Sequence, residues 1–523
     1  MSWRIGLLLL LLPVLLRAAD PLSPEQPKQQ IARGRQIYVE GTSPADTQIT
    51  AVMSDEGVVV PASAVPCASC HGRDGKGRSE GGIAPSDLTW AALTKPYGIT
   101  HPSGRKHPPY DVRLLKRAIS LGIDPAGNKL HVAMPRFRMS LQDMEDLVAY
   151  IQQLGTGMDP GVSETGLRIG VVLPPVGPLS GMGQAVRAAL TARFEQINSQ
   201  SGIYGRRLEP RFLEAPSAVD QRRAWTADFL EREQVFASVG SFLAGADAEL
   251  AGLFQEKEIP LIGPFTLYPR ETFPLNRYVF YLLSGMEAQG QALVRFARSR
   301  WGGKPHTAIV APASGELDSA VEAIRKAAAT AGWPAPLTVR LQRGSGAQDL
   351  QRLAAAKADP VFFLGSGPEA RALLQVADRI GWHPRFLVTA AAADDSLFGA
   401  PPIFDGKVFV AFPMSPGGLN SQAATSYRAL ATAAKLPADH LSAQLSALAA
   451  ADLLIEALQR AGRDVSREKL VDQLEKLRGY AGGFAPPISY GPNRRLGVRG
   501  AYVTLVDLKT KRLVPEGGWV EVE

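Results

Sequence analysis

The chain has 523 residues, a formal net charge of +7 and an ordinary globular composition, with 45% hydrophobic and 20% charged residues. This length accommodates about three or four domain-sized cores. The positive charges are spread along the chain, so the composition does not indicate nucleic-acid binding.

The N-terminal segment is an apolar run over residues 7–16, preceded by the single positive charge of Arg4. The run is too short to span a bilayer comfortably and is typical of a secretory signal. We expect a signal peptide over residues 1–19 and hence an exported protein, with an uncleaved anchor as the alternative. No cysteine lies directly after the run, so a lipoprotein anchor is not expected.

The first helix after this segment is indicated by Ile31, Gly34 and Tyr38, which recur at helical spacing. Gly34 has no Cβ and would let another backbone approach closely. A long connection, residues 39–66, separates this helix from the next motif. The sequence alone assigns this insert no role.

The most specific motif is the run CASCH at residues 67–71. C-x-x-C-H is the attachment signal for a c-type haem, in which Cys67 and Cys70 form thioethers and His71 binds the iron. A redox dithiol would be expected within a βαβ pattern, and a structural zinc site needs four ligands. We therefore predict one covalently attached haem c, which leaves no cysteine for an internal disulfide.

The second axial ligand of the iron is predicted to be Met134, because methionine opposite histidine is a known pairing in cytochromes c. Met134 precedes a helix that Ser140 can cap, with Asp143 at the N3 position. Apolar residues at helical spacing over 141–154 make this an amphipathic closing helix. The alternative ligands are other methionines and histidines of the region: Met53, Met139, Met144, His101, His107 and His131.

These features together resemble a class I cytochrome c, with an opening helix, CxxCH, a Met-Pro pair and a closing helix that carries Tyr150. The resemblance covers about residues 28–155 and implies an all-α cytochrome c domain, which we place at residues 20–155. It also implies a periplasmic location and a periplasmic redox protein or dehydrogenase as partner. A basic rim that attracts acidic partners is one interpretation of nearby charges, and a solvated surface is the other. The rim would comprise Arg73, Lys76, Arg78, Arg105, Lys106, Lys116, Arg117, Arg136 and Arg138.

A change of organisation follows residues 156–166, whose glycine, proline and polar content indicates a linker. From residue 167 onward, apolar strands alternate with helices, which predicts βαβ units and parallel sheets. The run GPLSGMG at 177–183 contains a Gly-x-Gly pair. It lacks the third glycine and the Lys-Ser/Thr pair of nucleotide loops, so nucleotide binding is not predicted.

This second region, residues 167–523, resembles periplasmic binding proteins of the branched-chain amino acid type, an ABC transporter substrate-binding family. The matching runs are GPLSG at 177–181, SGIYGRR at 201–207, VGS at 239–241 and IPLI at 259–262. The resemblance implies a type I fold with two α/β lobes that close on a ligand. The first lobe would span about 167–284 and 413–500, and the second about 285–412 and 501–523.

The ligand positions of this family are altered here. Members that bind amino acids hold the carboxylate with a serine and a threonine, and the ammonium with an acidic residue. The serine position falls near Ala244, the threonine segment contains Thr266, and the acidic position falls near Ala390. An ammonium without its partner would cost several kcal/mol, so we expect a less charged, aromatic ligand. Asp394 and Asp395 are alternative ammonium partners.

The candidate ligand-binding residues have core packing as their alternative role. They are Ser180, Ser241, Phe242, Ala244, Phe265, Thr266, Ser366 and Ala390. Tyr268 is a third aromatic residue, with Phe242 and Phe265, that we expect at the cleft edge of the first lobe.

The predicted function is periplasmic electron transfer by haem c, fused to a small-molecule sensor or receptor module. The alternative is the solute-binding component of an ABC-type importer, with the cytochrome as a docking or redox accessory. The expected partners are a redox protein, a small organic ligand and, in the alternative, an ABC permease. Enzymatic activity is not expected, because Met134 would fill the iron's open position and no Ser-His-Asp group is evident.

Overall fold

The computed structural model describes residues 25–53, 57–77, 85–101, 103–271, 274–341, 346–414 and 421–522. The expected signal peptide and Arg78 of the basic rim lie outside them. The chain divides into two compact units, Met1–Gly157 and Met158–Glu523. They are called the N-terminal and C-terminal units below.

The N-terminal unit combines helices with short strands. The helices are α1 (Glu25–Glu40), α2 (Cys67–His71), α3 (Trp90–Leu93), α4 (Val112–Leu121) and α5 (Leu141–Ile151). The strands are β1 (Thr50–Met53), β2 (Val58–Pro61), β3 (Ile99–Thr100), β4 (Lys106–His107) and β5 (Arg136–Arg138). Strands β2, β1 and β5 form an antiparallel sheet in that order, and β3 pairs with β4.

The sheet β2-β1-β5 corrects the expectation of an all-α domain. Two of its strands come from the insert, residues 39–66, whose segments TAVM and VVVP are rich in β-branched residues that favour strands. The third strand, β5, begins two residues after Met134. The unit is therefore helical with a small sheet, and the insert is structured where the structure describes it.

The predicted opening and closing helices are α1 and α5, and they cross closely at Gly34. A Cβ atom at Gly34 would lie 1.9 Å from the Asp146 carbonyl oxygen and 2.8 Å from Tyr150 Cβ. Next to this crossing, Arg33 Nε and Nη2 donate to the Asp146 carboxylate at 2.6 and 3.0 Å. The side chain of Ser140 caps α5, as predicted, by accepting the Asp143 N–H.

The C-terminal unit alternates strands and helices. Its strands are β6 (Gly166–Leu173), β7 (Arg207–Glu214), β8 (Ala237–Val239), β9 (Leu261–Ile262), β10 (Val279–Phe280), β11 (Ala308–Pro312), β12 (Leu337–Leu341), β13 (Val361–Phe363), β14 (Phe386–Thr389), β15 (Val408–Phe412), β16 (Gly500–Asp507) and β17 (Arg512–Glu521). Its α-helices are α6 (Ser180–Ser199), α7 (Val219–Arg232), α8 (Asp247–Glu256), α9 (Met286–Trp301), α10 (Asp318–Thr330), α11 (Gly346–Ala355), α12 (Gly367–Arg379), α13 (Ser421–Ala434), α14 (Leu441–Ala461) and α15 (Arg467–Glu475).

Two sheets define two lobes in this unit. The first lobe contains the parallel sheet β10-β9-β8-β6-β7. The second lobe contains the sheet β12-β11-β13-β14-β15-β16-β17, which is parallel up to β15 and ends in two antiparallel strands. Helix α14 is long and apolar enough to span a membrane, but most of its apolar stretch is buried. It belongs to the core of the first lobe.

The chain crosses between the lobes near Ser284 and again near Gly500, and these crossings are bonded to each other. The Ser284 hydroxyl donates to the Gly500 carbonyl at 2.6 Å. Next to them, the buried Gln289 side chain donates to the Ser284 carbonyl at 3.0 Å and accepts the Ala390 N–H at 2.8 Å. This network joins the crossing segments to the end of β14.

Candidate haem site and ligand cleft

The CASCH run folds into α2, with Pro66 in extended conformation at its N-cap. His71 is 7% exposed, and its Nδ1 lies 2.9 Å from the Ser86 carbonyl. A carbonyl only accepts, so Nδ1 carries the proton and Nε2 keeps its lone pair. No described residue forms a hydrogen bond with Nε2. Burial lowers the pKa of His71, which favours the neutral ring that binds metals.

The two cysteines of α2 are free thiols on one helical face, three residues apart. Cys67 is half-buried against the core, and Cys70 is exposed. Burial raises the pKa of the Cys67 thiol to about 12. A reactive dithiol needs the opposite shift, because the thiolate is the nucleophile. Burial therefore makes Cys67 a poor nucleophile for dithiol chemistry.

Met134 lies in the loop between α4 and β5, half-buried against the core cluster that Cys67 also contacts. Its backbone N–H donates to the His131 carbonyl at 3.0 Å. The structure thus places Met134 and Cys67 of the CASCH motif on the same core.

The alternative ligands have other contacts in the described structure. Met144 is 8% exposed within the core, and Met139 packs half-buried against it. The Nε2 atoms of His101 and His107 lie 3.0 Å apart. Exposed His131 accepts the Ala133 N–H. Met134 remains the predicted ligand.

The residues present therefore fit a c-type haem. Cys67 and Cys70 would hold its vinyl groups, and His71 and Met134 would bind the iron. The decisive observation is the buried His71, whose Nδ1 is fixed by Ser86 while Nε2 is left without a hydrogen bond among the described residues.

Two members of the proposed basic rim are paired with carboxylates within the unit, Arg105 with Asp124 and Lys116 with Glu145. Arg117 and Arg136 donate to backbone carbonyls, which carry no charge. Paired cations contribute less to long-range steering of a partner.

In the C-terminal unit, the candidate ligand residues follow the carboxyl ends of the strands, where ligands bind in open α/β sheets. Phe242 follows β8, and Phe265 follows β9. Their rings stack 4.6 Å apart at an interplanar angle of 15°. Phe242 is 8% exposed and Phe265 is half-buried, so the pair supplies apolar surface at the carboxyl ends of β8 and β9.

The polar candidates of the first lobe are already bonded within the protein. Ser241 is fully buried, and its oxygen accepts the Val172 N–H at 2.8 Å. The Thr266 hydroxyl donates to the Asp247 carboxylate. The Ser180 oxygen accepts the Gly177 N–H at 2.7 Å, although Ser180 is half-buried at the start of α6.

Ala244 is exposed and lies next to a cation that the sequence analysis missed. Its carbonyl accepts a hydrogen bond from Arg222 Nη1 at 2.7 Å, and Arg222 Nε donates to the Pro216 carbonyl at 3.1 Å. Arg222 comes from α7, and no spacing in the sequence relates it to Ala244. Ala244 lacks the serine hydroxyl expected at this position, and the Arg222 guanidinium lies next to it.

On the second lobe, Ser366 and Ala390 also have their polar groups engaged. The Ser366 N–H and hydroxyl both donate to Glu369, each at 2.8 Å. The Ala390 N–H donates to Gln289. Asp394, a proposed alternative ammonium partner, is exposed and accepts the Ser396 N–H at 2.8 Å.

Tyr268 shows that acidic groups from both lobes approach the same edge. It follows β9 in the first lobe but packs half-buried against the core of the second. Burial raises its pKa, and the nearby Glu316 and Asp247 raise it further. Asp247 and Glu316 belong to different lobes and were not found from sequence, since only the fold brings them near one aromatic ring.

Two regions of the chain match known protein families. Residues 166–512, about two thirds of the chain, match the family model for periplasmic binding proteins. The chain belongs to the periplasmic binding protein family. Residues 62–155 match the family model for cytochrome c. The chain thus combines a region that matches cytochrome c with a periplasmic binding protein domain.

Individual relatives are distant. The leucine-, isoleucine-, valine-, threonine- and alanine-binding protein of Pseudomonas aeruginosa is 24% identical over 246 residues, which cover 44% of this chain and 64% of that protein. A fatty acid ABC transporter substrate-binding protein from Thermomonospora curvata has a TM-score of 0.57 at 18% identity, covering 70% of this chain and 95% of its own. A valine-bound branched-chain amino acid ABC transporter protein from Thermus thermophilus has a TM-score of 0.56 at 19% identity, covering 68% and 97%. These structures establish the fold alone.

Proposed function

We propose that this chain is a periplasmic electron-transfer protein that carries haem c and a small-molecule sensor or receptor domain. The carrying observation is the buried His71, held through Nδ1 and without a hydrogen bond at Nε2 among the described residues, in the same helix as Cys67 and Cys70. That helix lies in the region that matches cytochrome c. The rest of the chain belongs to a family of ligand receptors.

Each residue of the haem site has a defined task. Cys67 and Cys70 would anchor the group covalently, His71, oriented by the Ser86 carbonyl, would bind the iron, and Met134 would supply its second ligand. When bound, haem c supplies one-electron transfer. Met134 as ligand leaves no open coordination position, so we propose no enzymatic activity. The electrons would pass to or from a periplasmic redox protein or dehydrogenase.

The ligand of the binding domain is proposed to be a small organic molecule less charged than an α-amino acid. The positions expected to bind a carboxylate and an ammonium hold Ala244 and Ala390. The Ala390 N–H is also engaged with Gln289, so it is not available to a ligand. The stacked Phe242 and Phe265 supply apolar surface instead.

The haem assignment is tested by replacing Met134 with alanine in the haem-loaded protein. We expect haem to remain attached, the reduction potential to fall and the weak sulfur-to-iron band at the red end of the oxidised spectrum to disappear. Met139→Ala is the matched control, since Met139 packs half-buried against the same core. Loss of the band in Met139→Ala and its retention in Met134→Ala would reassign the ligand.

The second candidate function is that of a solute-binding component of an ABC-type importer, which is favoured by the similarity to amino acid-binding and fatty acid ABC transporter proteins. Under that function, a solute should bind equally well to oxidised and reduced protein, and its uptake should depend on this chain. A sensor instead predicts different affinities in the two redox states, because coupling is reciprocal. Ligand titrations at both poised potentials therefore separate the two functions.

A further inference from the structure

The insert, residues 39–66, contacts the segment that follows Met134. Its strand β1 is central in the small sheet and pairs with β5 in the register Thr50 with Arg138, Ala51 with Phe137 and Val52 with Arg136. Strand β5 begins two residues beyond Met134. Residues 130–135 are called the Met134 loop below. Their C-terminal end is thus continuous with β5, a strand that pairs with the insert.

Arg136 closes the same loop through its side chain. Its Nη2 donates to the Leu130 carbonyl at 3.1 Å, and its Nη1 donates to the Met134 carbonyl. The guanidinium lies against Gly122, where a Cβ atom would come within 1.8 Å of Arg136 Nε. The Leu130 N–H donates to the Gly122 carbonyl at 2.8 Å. One cation therefore joins both ends of the loop to the end of α4.

A second anchor joins the insert to α5. Asp143 is 2% exposed and accepts hydrogen bonds from Ser43 at 2.7 Å, Thr47 at 2.5 Å and Ser140 at 2.7 Å. Ser43 and Thr47 belong to the insert, whereas Ser140 and Asp143 begin the helix that follows β5. These three hydroxyls lower the pKa of Asp143 although its burial acts in the opposite direction.

The inner side of the insert is part of the core. Ile49, Ala51 and Ala62 are at most 5% exposed, and so is Phe137 of β5. The Ala62 N–H donates to the Ile49 carbonyl at 3.0 Å. An insert packed in this way is held in one conformation, because opening it would expose apolar surface and break ladder hydrogen bonds.

We propose that the insert and Arg136 act as a clamp that holds the Met134 loop closed, so that Met134 would stay bound to the iron against competing ligands. This rests on the proposed haem function. Arg136 is a positioning residue, because its side chain donates to the loop backbone at Leu130 and Met134. A closed loop has already lost its conformational entropy, so the Met134 sulfur would bind the iron without a further entropic cost of ordering the loop.

The test is displacement of Met134 by imidazole in the oxidised, haem-loaded full chain. In Arg136→Gln, which loses the hydrogen bonds that close the loop, the apparent imidazole affinity should rise about tenfold or more. Thr47→Val removes one donor to Asp143 while preserving side-chain shape, and we expect a smaller rise of the same sign. Arg138→Gln is the matched control, since Arg138 has the same charge, lies exposed on the same strand and should leave the affinity nearly unchanged.

Hydrogen exchange at the Met134 N–H gives a readout independent of the haem, because this N–H is bonded to the His131 carbonyl. Faster exchange in Arg136→Gln but not in Arg138→Gln supports the clamp. Unchanged imidazole affinity and unchanged exchange in Arg136→Gln would overturn it. If Met134→Ala leaves the sulfur-to-iron band intact, the ligand assignment fails, and the exchange measurement still decides whether the clamp exists.

Discussion

Tyr38 stabilises the residue that follows the CASCH helix. Its side chain is fully buried, and its hydroxyl donates to the Gly72 carbonyl at 2.8 Å. Its ring lies 5.3 Å from that of Tyr150 on the closing helix. The single hydroxyl therefore links α1 to the end of α2 from within the core.

Removing that hydroxyl should destabilise the N-terminal unit. We expect Tyr38→Phe to lower the free energy of unfolding by about 1–2 kcal/mol, because a buried carbonyl loses a partner while the ring packing is preserved. Urea unfolding followed by haem absorbance measures this. Tyr97→Phe, at a side chain that is 84% exposed, is the control and should have no effect. Equal midpoints for the two variants would show that the bond contributes little.

His101 is a second residue whose surroundings have a measurable consequence. Its Nε2 lies 3.0 Å from His107 Nε2 and 2.9 Å from Arg105 Nη2. His107 Nδ1 lies 2.7 Å from the Pro108 carbonyl and must donate to it. Burial, Arg105 and His107 lower the pKa of His101 to about 4, and Asp124 acts in the opposite direction.

This pKa predicts a loss of stability in mild acid. An unfolded histidine titrates near 6.5, so between about pH 6.5 and about 4 the unfolded state binds more protons. The stabilisation is therefore complete above this window and is lost as the pH falls through it. Because His101 is half-exposed, solvent screening limits the effect to about 1 kcal/mol. His101→Gln should flatten the dependence of the urea midpoint on pH, whereas the exposed His306→Gln should not. A slope unchanged by His101→Gln would contradict the prediction.

At the scale of elements, the crossing of α1 and α5 depends on Gly34. A Cβ atom there would lie 1.9 Å from the backbone oxygen of Asp146, and backbone cannot move aside without separating the helices. We expect Gly34→Ala to cost about 3 kcal/mol by overpacking, measured as a shift in the urea midpoint.

The control for Gly34 is another helical glycine without close neighbours. A Cβ atom at Gly252 in α8 would meet nothing within 4 Å. Gly252→Ala should be neutral or stabilise the protein by up to about 1 kcal/mol, because alanine favours helix. A mild effect of Gly34→Ala would mean that α1 can move away from α5 at little cost.

The predictable elements are those whose signals are local. Ser140 as a cap and the closing helix followed from residues within a few positions of each other, and both are present. The hydrogen bonds from Ser43 and Thr47 to the Asp143 carboxylate join residues about a hundred positions apart, and such contacts produce no periodic pattern in the sequence. For the same reason the pairing of the insert with β5 was missed, although its β-branched content favoured strands.

Among the parallel strands of the C-terminal unit, β11 and β14 are short, buried apolar runs of the kind that the sequence pattern indicates. Strands β7 and β17 give no such signal, since each has mainly half-buried or exposed residues and carries charges. At the cleft, the family resemblance located Ala244 and Ala390, but it gave no indication of Arg222 or Gln289. Their roles depend on side chains that reach between elements.

For the whole molecule, proteolytic cleavage at the boundary between the two units tests whether each unit folds independently. Residues after 158 already belong to the C-terminal unit: Asp159 accepts the Arg467 N–H at 2.5 Å, and the Arg168 N–H donates to the Gly161 carbonyl at 2.9 Å. A protease site placed at Gly157 should release a coloured N-terminal fragment and a colourless C-terminal fragment, each unfolding cooperatively. Insolubility of both fragments after cleavage would show that each needs the other.

The last prediction concerns the ligand. Because Ala244 and Ala390 lack the groups that bind an α-amino acid, neutral aromatic molecules should bind more tightly than leucine, isoleucine or valine. A ligand at about 100 times its Kd should add about 2.7 kcal/mol to the stability of the unit that binds it, seen as a dose-dependent rise in the Tm of the full chain.

Two variants distinguish an aromatic ligand from an amino acid ligand. Phe265→Ala removes half of the stacked pair with Phe242 and should weaken an aromatic ligand, since the lost contact is apolar. Asp395→Ala removes an exposed carboxylate and should leave that ligand unaffected. Micromolar affinity for leucine that is lost in Asp395→Ala would show that this carboxylate serves as the ammonium partner. The cleft would then be that of an amino acid receptor, and the importer function would be favoured over the sensor.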